Sequence, residues 1–460
     1  MIDPLHAVSP IDGRYSSLTS DLSRIFSEYA LIRYRLIVEV KYLGFLLNNL
    51  KISSNEAINK LRSLEEEVSN LSEEGGREVK RYEAKTSHDV ESAVRYLKAR
   101  LGELGLTGLQ PYVHLGLTSE DVTNLSLSLM LTDFKRLLKN ELNELMNVLM
   151  KISYDERRTV IVGRTHGQPA APTTLGKEFA VHLYRLLRCY SNISAAILPG
   201  KISGSVGTYS ALVELFGEDV DEALERFISS LGLRPWIANK QILPHDDVSR
   251  FLFELSLTCM VLVDLARDLW LYTMLGYLRW GGPQRVGSST IPHKVNPIEV
   301  ENAEGNLELA STLFTFLANR LLVSRLQRDL SDSTLKRNYG TAAAHMIIGI
   351  KNVANYLRGL YVDREGIRAD VEAHPEVVSE TVQVRLRKRG IDAIDRLRSI
   401  RSSGADYLKE LREVITSLGL RPEDFIPRTV EECIGLSEKI VNRVNDEVVR
   451  VTNEFFRGAV

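Results

Sequence analysis

The sequence predicts an all-α protein in which a long central helical bundle is flanked by two smaller helical domains. Proline breaks helix interiors, and none occurs between Pro10 and Pro111, between Pro111 and Pro169, or between Pro297 and Pro375. Apolar residues inside these windows recur at helical spacing. Strict alternation and paired hairpin signals are scarce, which argues against a β protein.

The periodicity is clearest in the middle of the chain. Two runs of apolar residues repeat at helical spacing: Phe134, Leu138, Leu142, Leu145, Leu149 and Ile152, then Phe179, Leu183, Leu186, Leu187 and Tyr190. A third segment, Val248 to Tyr277, is apolar on more than one face. Such a pattern predicts a helix buried in a bundle.

Helix-breaking residues and a change in composition divide the chain into three predicted domains. Glycine and proline crowd Leu101 to Pro111, and a charged helical tail begins near Asp370. We therefore expect an N-terminal helical domain (1–115), a central long-helix bundle (116–365) and a C-terminal helical domain (366–460). A chain of 460 residues has room for about two to four domains.

Composition excludes several classes of protein. The net charge of −2, with 26% charged residues, argues against a nucleic-acid polymer as partner. The N-terminus has no apolar signal region, and the most apolar stretch, Leu255–Val263, is far shorter than the ~20 residues of a membrane span. We expect a soluble cytoplasmic protein without a membrane partner. Cys189, Cys259 and Cys433 form no CxxC motif and are expected to be small buried residues.

One loop combines groups that suit an anion. Trp280 to Pro297 reads WGGPQRVGSSTIPHKVNP, which cannot be a helix interior. Asn296 is predicted to cap the following helix, with Pro297 at its first position. Lys294 would then lie just before a helix N-terminus, where backbone N–H groups attract anions. For the Gly-Ser-Ser alone, a polar surface loop is the simpler interpretation.

The whole string GSSTIPHKVNP resembles the signature of the fumarase/aspartase superfamily, with Ile291 at the usual methionine position. Further blocks resemble the adenylosuccinate lyase family in order: SPIDGRY (9–15), TSHDVES (86–92), HLGLTSEDVTN (114–124), GRTHGQPAAPTTLGKE (163–178) and RLQRDLSDSTLKR (325–337). Gly167 after His166, and His293 before Lys294, are typical of that family rather than of argininosuccinate lyases or fumarases. The C-terminal region has no block that can be assigned.

The resemblance implies a fumarase/aspartase-like fold and an anti β-elimination. Fumarate would leave adenylosuccinate, giving AMP, and would also leave the succinylaminoimidazole carboxamide ribotide of purine nucleotide biosynthesis. No cofactor is implied and no metal site is needed; the histidines lack ligand spacing that would predict one. The family also implies a homotetramer whose sites are shared between subunits.

The resemblance assigns four catalytic residues. His166 would be the general acid, Ser288 the general base, Lys294 the cation that stabilises the succinyl carboxylate, and Glu301 the carboxylate that orients His166. GRTHGQP places His166 outside a regular helix, in a turn expected to link helices. Taken alone, the histidine would be structural, and the lysine and glutamate would be solvated charges.

The resemblance implies that a larger set of residues binds substrate. It comprises Arg14, Tyr15, Ser87, His88, Asp89, His114, Thr118, Ser119, Gln241, Ser289, Asn296, Arg328, Ser333 and Arg337. Three members also have a structural interpretation. Asp89 could be a substrate contact or a helix N-cap, and Thr118-Ser119-Glu120-Asp121 is an N-cap signature that is compatible with carboxylate binding.

Two other functions compete with this one. A sister lyase would release fumarate from a different substrate, and the nucleotide-type residues Arg14, Arg328 and Arg337 argue against it. A structural helical oligomer that has lost activity would have other residues in place of Ser288, His166 or Lys294, and all three are present.

Overall fold

Helices make up most of the described chain. The structure is a computed structural model that describes residues 4–52, 54–282, 290–291, 293–400 and 404–457. The predicted base Ser288 and its neighbour Ser289 lie outside the described residues. The predicted all-α class is confirmed.

The α-helices, in chain order, are α1 (Ser16–Phe26), α2 (Glu28–Asn49), α3 (Asn55–Ser69), α4 (Glu73–Thr86), α5 (Asp89–Glu103), α6 (Ser119–Asp155), α7 (Leu175–Ala195), α8 (Ser210–Phe216), α9 (Val220–Ser230), α10 (Asp246–Met274), α11 (Ile298–Leu321), α12 (Ser331–Lys336), α13 (Tyr339–Arg358), α14 (Arg364–Ala373), α15 (Ser379–Arg387), α16 (Ile394–Ser399), α17 (Ala405–Ser417) and α18 (Ser437–Arg457). Short 3-10 helices cover Pro4–His6, Thr107–Tyr112, Pro375–Val378, Pro422–Asp424 and Val430–Cys433.

The strands are short and pair only two at a time in the described chain. They are β1 (Val160–Thr165), β2 (Gln168–Thr174), β3 (Pro199–Gly200), β4 (Arg234–Pro235), β5 (Leu278–Trp280) and β6 (Leu360–Val362). β1 with β2 and β5 with β6 are antiparallel, and β3 with β4 is parallel. The β1–β2 hairpin was not anticipated from the sequence.

The chain forms two compact units. The first comprises Met1–Asn140, Asn192–Cys259 and Asn306–Ile348, and the second comprises Glu141–Ser191, Met260–Gly305 and Gly349–Val460. The long helices α6, α7, α10, α11 and α13 each contain residues of both units. The three domains with boundaries near residues 115 and 365 stay a prediction.

The first unit contains α1 to α5, and α2 lies at its core. Ser27 caps α2 by accepting the amide of Ala30 at 3.1 Å. Most of α2 is buried, including the charged residues Arg35 and Glu39. Burial of two charges in one helix requires partners, since an unpaired buried charge is costly.

The second unit builds a separate apolar cluster from its C-terminal helices. Val378, Leu386, Leu411 and Phe425 are among the buried side chains, and Val162 of β1 belongs to the same cluster. The β1–β2 hairpin is therefore fixed to the C-terminal helices by apolar packing.

The helical periodicity predicted for the middle of the chain is confirmed. Phe134 to Leu149 repeat along the buried side of α6, and Phe179 to Tyr190 along that of α7, although Ile152 is only half-buried. α10 covers the predicted apolar segment, yet Leu257, Trp270 and Met274 are exposed on it. No helix in the described ranges is long and apolar enough to cross a membrane. Cys189 and Cys259 are buried as expected, whereas Cys433 is half-buried.

Candidate active site

The junction between α4 and α5 presents three of the predicted site residues. Ser87 ends α4 in the left-handed region with φ +53°. His88 is the N-cap of α5, because its Nδ1 accepts the amide of Glu91 at 3.2 Å. The alternative that Asp89 is the cap is therefore wrong: α5 begins at Asp89, one residue later.

The hydrogen bond of His88 also defines its tautomer. Because Nδ1 accepts, a neutral His88 carries its proton on Nε2. The side chain is about half exposed, so Nε2–H is available to donate to a ligand. This arrangement suits a hydrogen-bond donor to a substrate carboxylate better than a general base.

Asp89 lies between two arginines. Its Oδ2 accepts from Nη2 of Arg35 at 2.8 Å and from Nη2 of Arg337 at 3.2 Å. Burial by itself raises the pKa of Asp89, but the charge and hydrogen bond of Arg35, the amide of Val90 and the charge of Arg337 outweigh it and lower the pKa. Asp89 is thus held as a carboxylate that joins two parts of the chain.

Three predicted nucleotide-binding residues line one cavity in the first unit. Arg328, Ser333 and Arg337 border a volume of about 260 Å³, together with Arg35 and Lys336. The lining also includes apolar side chains such as Leu31. A cavity lined by several guanidinium groups suits phosphate and ribose oxygens.

The N-terminus of α6 confirms the capping interpretation of Thr118 to Asp121. The carboxylate of Asp121 accepts the amide of Thr118 at 2.9 Å, which is half of a capping box. The same carboxylate accepts from the Lys201 ammonium at 2.7 Å and from the amides of Ser203 at 3.0 Å and Gly204 at 3.2 Å. Thr118 and Ser119 are therefore held at a helix N-terminus, where negative charge is favoured.

The neighbouring Glu120 is fully buried between two cations. Its oxygens lie 3.3 Å from Arg328 Nη2 and 3.3 Å from Lys336 Nζ. Lys336 also pairs with Asp332 at 2.6 Å. Since an uncompensated buried charge is costly, this network ties the start of α6 to α12 and to Arg328.

His114 has a buried carboxylate as its partner. The residue adopts φ +64°, and its Nδ1 lies 2.5 Å from Glu39 Oε1. Burial favours the neutral ring, but the hydrogen bond and charge of Glu39, with Asp121 and Glu91, outweigh it and raise the pKa of His114. Because the folded-state pKa is raised, the pair stabilises the fold at low pH, and this contribution is lost as the pH rises through the raised value.

The remaining predicted residues of the first unit are Arg14, Tyr15 and Gln241. Gln241 Nε2 donates to the carbonyl of Ser205 at 2.8 Å. Arg14 is exposed, and Tyr15 directly precedes α1. Within the described chain, no hydrogen bond joins Arg14 or Gln241 to another predicted site residue.

His166 lies at the tip of the β1–β2 hairpin in the second unit. His166 and Gly167 form the two-residue turn, with φ +53° and +73°, as a type I′ turn requires. The turn therefore links strands rather than helices. Gly163 is required in β1, because a Cβ there would lie 2.5 Å from the carbonyl oxygen of Ala171.

An ion pair next to the turn holds the hairpin in place. Arg164 of β1 binds both carboxylate oxygens of Asp370 on α14, at 2.8 and 2.9 Å. The Tyr277 hydroxyl accepts from Arg164 at 2.9 Å and donates to Asp370. Burial and the hydrogen bond to Asp370 raise the pKa of Tyr277 to about 12. His166 is thus exposed at the tip of a hairpin that is anchored to α14.

The start of α11 differs slightly from the prediction. The carbonyl of Pro297 accepts the amides of Val300 at 3.0 Å and Glu301 at 3.2 Å, so the backbone hydrogen bonds of α11 begin at Pro297. The helix begins at Ile298. Lys294 is exposed just before the helix, as expected.

Glu301 is exposed in the first turn of α11 and accepts from the Trp270 indole at 3.2 Å. No hydrogen bond joins Glu301 to His166 among the described residues, so the orienting contact that the resemblance implies is not made within one chain. No group of three or more His, Cys, Asp or Glu side chains that could hold a metal occurs in the described part of the chain.

Sequence reasoning missed the buried charges behind the site. Arg35 and Glu39 are four residues apart in an otherwise apolar stretch of α2, and both contact predicted site residues. That spacing puts them on one helix face, which is a signal the sequence offers. Glu120, Asp121 and Lys201 are further buried charges of this kind.

Comparison with known proteins places the chain in a family. A family model described as lyase matches residues 13–309, and one described as adenylosuccinate lyase C-terminal matches residues 324–426. The second match covers much of the region in which the sequence offered no recognisable block.

Solved structures share the fold. The 3-carboxy-cis,cis-muconate lactonizing enzyme from Pseudomonas putida aligns with a TM-score of 0.75 and 23% identity, covering 94% of this chain and 98% of that one. A fumarate lyase from Mesorhizobium sp. BNC1 aligns with a TM-score of 0.72 and 17% identity, covering 93% and 97%. Together with the first family match, this fold defines a lyase of the fumarase/aspartase superfamily.

Curated relatives show which family of this superfamily the chain belongs to. The adenylosuccinate lyase of Legionella pneumophila (strain Corby) is 36% identical over 450 residues, covering 95% of this chain and 98% of the relative. That of Buchnera aphidicola subsp. Baizongia pistaciae is 37% identical over 456 residues, covering 96% and 98%. The chain belongs to the adenylosuccinate lyase family.

Proposed function

We propose that this protein cleaves adenylosuccinate to AMP and fumarate, and that it also releases fumarate from succinylaminoimidazole carboxamide ribotide. The observation that carries the proposal is the cavity at which Arg328, Ser333 and Arg337 meet, with Asp89 hydrogen-bonded to Arg337. It brings guanidinium groups and a hydroxyl together where a nucleotide phosphate and ribose could bind.

The chemistry requires an acid and a base on opposite faces of the substrate. Ser288 would remove the proton from the carbon beside a succinyl carboxylate, and an aci-carboxylate anion would develop. The C–N bond would then break, and His166 would protonate the departing purine nitrogen. The exposed position of His166 at the hairpin tip supports this role, because the ring can reach a ligand without disturbing the core.

The developing anion needs preorganised positive charge. Lys294, exposed just before the N-terminus of α11, would supply it, and Asn296 and Ser289 would contact the substrate. Thr118 and Ser119, at the N-terminus of α6, would bind a second carboxylate with His88 as donor. Lys294 and the α11 terminus would also favour the alkoxide form that Ser288 needs as a base.

We further propose a homotetramer with active sites shared between subunits. Phe253, Leu257, Leu271 and Met274 are exposed along α10, although the segment has the composition of a buried helix. Exposed apolar side chains in such number favour burial against another subunit. The absence of a His166–Glu301 contact within the described single chain is compatible with a contact that another subunit completes.

The compartment follows from the proposed substrates. A phosphorylated nucleotide does not cross membranes freely, so the proposal places the enzyme in the cytoplasm with purine nucleotide synthesis. Cell fractionation with an antibody to the protein would check this placement.

The substrate assignment is tested by measuring fumarate release. Purified protein should release fumarate from adenylosuccinate and from the succinylated carboxamide ribotide, and none from argininosuccinate. Release from argininosuccinate alone would indicate a sister lyase. Release from none of the three substrates by a folded oligomer would favour a structural protein.

Shared sites are tested by complementation between inactive subunits. The variants His166→Ala and Lys294→Ala should each have strongly reduced activity alone, and mixing them should restore some activity after subunit exchange. Recovery is expected because some mixed sites would take both intact residues from different subunits. An active monomer, or no recovery after exchange is demonstrated by mass spectrometry, would contradict shared sites.

A further inference from the structure

Arg35 is a buried cation in the middle of α2. Its side chain is 4% exposed, and the surrounding sequence, Ala30 to Val40, is mostly apolar. Arginine is almost never fully buried unless it is paired. The residue is outside the blocks that resemble the family, so its burial calls for an explanation from its contacts.

Those contacts form a chain that ends on the same helix. Arg35 Nη2 donates to Asp89 Oδ2 at 2.8 Å, and that oxygen also accepts from Arg337 Nη2 at 3.2 Å. Arg337 Nη1 donates to Glu28 Oε2 at 2.7 Å. Glu28 and Arg35 are about two helical turns apart on α2, so one helix holds both ends of the Asp89–Arg337 pair.

We propose that Arg35 is a positioning residue that fixes Asp89 and, through it, Arg337 in the orientation that a nucleotide substrate requires. The inference rests on the proposed function, in which Asp89 and Arg337 bind substrate. Arg35 borders the same cavity as Arg337, Ser333 and Arg328. Through Arg35 and Glu28, α2 thereby holds Asp89 and Arg337, which are far apart in sequence.

Geometry explains why a buried cation is needed beside Asp89. Asp89 has two cationic neighbours, and without Arg35 its carboxylate would have Arg337 as its remaining guanidinium partner. A two-membered Asp89–Arg337 pair can tighten and turn the guanidinium of Arg337 away from a ligand. With Arg35 present, the shared oxygen is held between two donors and Arg337 Nη1 is held by Glu28.

The charge of Arg35 also bears on the ionisation of Asp89. The groups that face Asp89 are Arg35 from α2, Arg337 after α12, and His88, whose Nδ1 lies 4.0 Å from Asp89 Oδ1. Arg35 is the leading contribution that lowers the pKa of Asp89 against the effect of burial. Loss of Arg35 should raise that pKa. As the pH falls, Asp89 should then become protonated, and substrate binding should weaken, at a higher pH than in the wild type.

The test compares Arg35→Met and Arg35→Lys with the matched control Arg33→Lys. Arg33 is on the same helix, but it lies over the Tyr34 ring at 4.4 Å and donates to the carbonyl of Arg24 at 3.0 Å. For each variant we would measure kcat and KM for adenylosuccinate, AMP affinity by isothermal titration calorimetry, and the acid limb of the kcat/KM profile.

Arg35→Met should raise KM and the Kd for AMP by about tenfold or more, as expected for loss of a hydrogen bond between charged groups. It should lower kcat less and move the acid limb to higher pH. Arg35→Lys keeps the charge, so it should keep the acid limb and recover part of the affinity. Arg33→Lys should match the wild type in every measurement.

Three results would overturn the positioning role. One is a folded Arg35→Met variant with unchanged KM, AMP affinity and acid limb, and another is a shifted acid limb in Arg33→Lys. If Arg35→Met does not fold, a crystal structure of Arg35→Lys decides: unchanged positions of Asp89 and Arg337 together with wild-type AMP affinity would refute it. A wild-type protein that does not cleave adenylosuccinate refutes the proposed function instead, and AMP titration and the crystal structure still test Arg35.

Discussion

Replacing Lys201 with methionine tests whether a buried ion pair supports the substrate-binding end of α6. Lys201 and Asp121 are 0% exposed, and Lys201 Nζ lies 2.7 Å from Asp121 Oδ1. Lys201→Met would leave the Asp121 carboxylate buried with three backbone amides as donors, those of Thr118, Ser203 and Gly204. Methionine approximates the volume of lysine, so the loss of charge dominates.

The expected loss in the free energy of unfolding follows from the burial of the Lys201–Asp121 pair. Breaking a buried ion pair by removing one partner costs about 3–5 kcal/mol, and neither partner has solvent exposure that would reduce this figure. At about 2 °C per kcal/mol for a large domain, the melting temperature should fall by roughly 6–10 °C. KM for adenylosuccinate should rise as well, because Asp121 also holds the amide of Thr118.

The assay is thermal unfolding at fixed subunit concentration, since subunit association shifts apparent stability. Lys151→Met is the matched control, because Lys151 pairs with Asp155 at 3.0 Å while the two side chains are 80% and 48% exposed. That control should change stability by about 0.5 kcal/mol or less. Adding Asp121→Asn to Lys201→Met should recover part of the lost stability. Two results would refute the reasoning: strictly additive effects of the two substitutions, or a loss of stability in Lys201→Met no larger than in the control.

Three further predictions concern the chemistry. His166→Ala should lower kcat by about 10²–10⁴-fold with little change in melting temperature, because His166 is exposed; near-normal kcat would remove it from the mechanism. Ser288→Ala should abolish turnover while adenylosuccinate still binds, whereas Ser289→Ala should mainly raise the Kd; the reverse pattern would exchange the two roles. Glu39→Gln removes the partner that raises the pKa of His114, so, as the pH rises, AMP affinity should decline at a lower pH than in the wild type; an unchanged pH profile by calorimetry would exclude His114⁺ from substrate binding.

Much of the fold could be predicted from local pattern. Proline-free windows and apolar spacing indicated the helices that became α6, α7 and α10, because burial of one helix face leaves a periodic trace in the sequence. The β1–β2 hairpin left no such trace. Pro169 and Pro172 stand in β2, and a two-stranded hairpin tolerates them since each strand has a free edge.

Helix ends were less predictable than helix interiors. Pro297 was expected at the first position of α11, yet the helix begins one residue later, at Ile298, and the carbonyl of Pro297 accepts its first backbone hydrogen bonds. Asp89 has a better capping side chain than His88, yet His88 takes the cap of α5 and Asp89 pairs with arginines. In the second case, tertiary partners outcompeted local propensity for the carboxylate.

The segments that form the candidate site were identified by sequence, but their backbone conformations were not. Ser87, His114 and His166 are three of the six non-glycine residues with positive φ in the described chain. This conformation is unfavourable for residues with a Cβ, and it persists where surrounding structure imposes it. No local pattern distinguishes these positions from others.

Helical class could be predicted from the sequence because periodicity is a local property of the chain, and the resemblance of its motifs to known lyases indicated the family and the candidate residues for the proposed chemistry. Which charges are buried, and which groups they hold, depended on the tertiary structure. Asp89 meets Arg337 across 248 residues, and Glu120 meets Lys336 across 216. Burial depends on neighbours that are remote in sequence, and the cost of an unpaired buried charge then selects the partners.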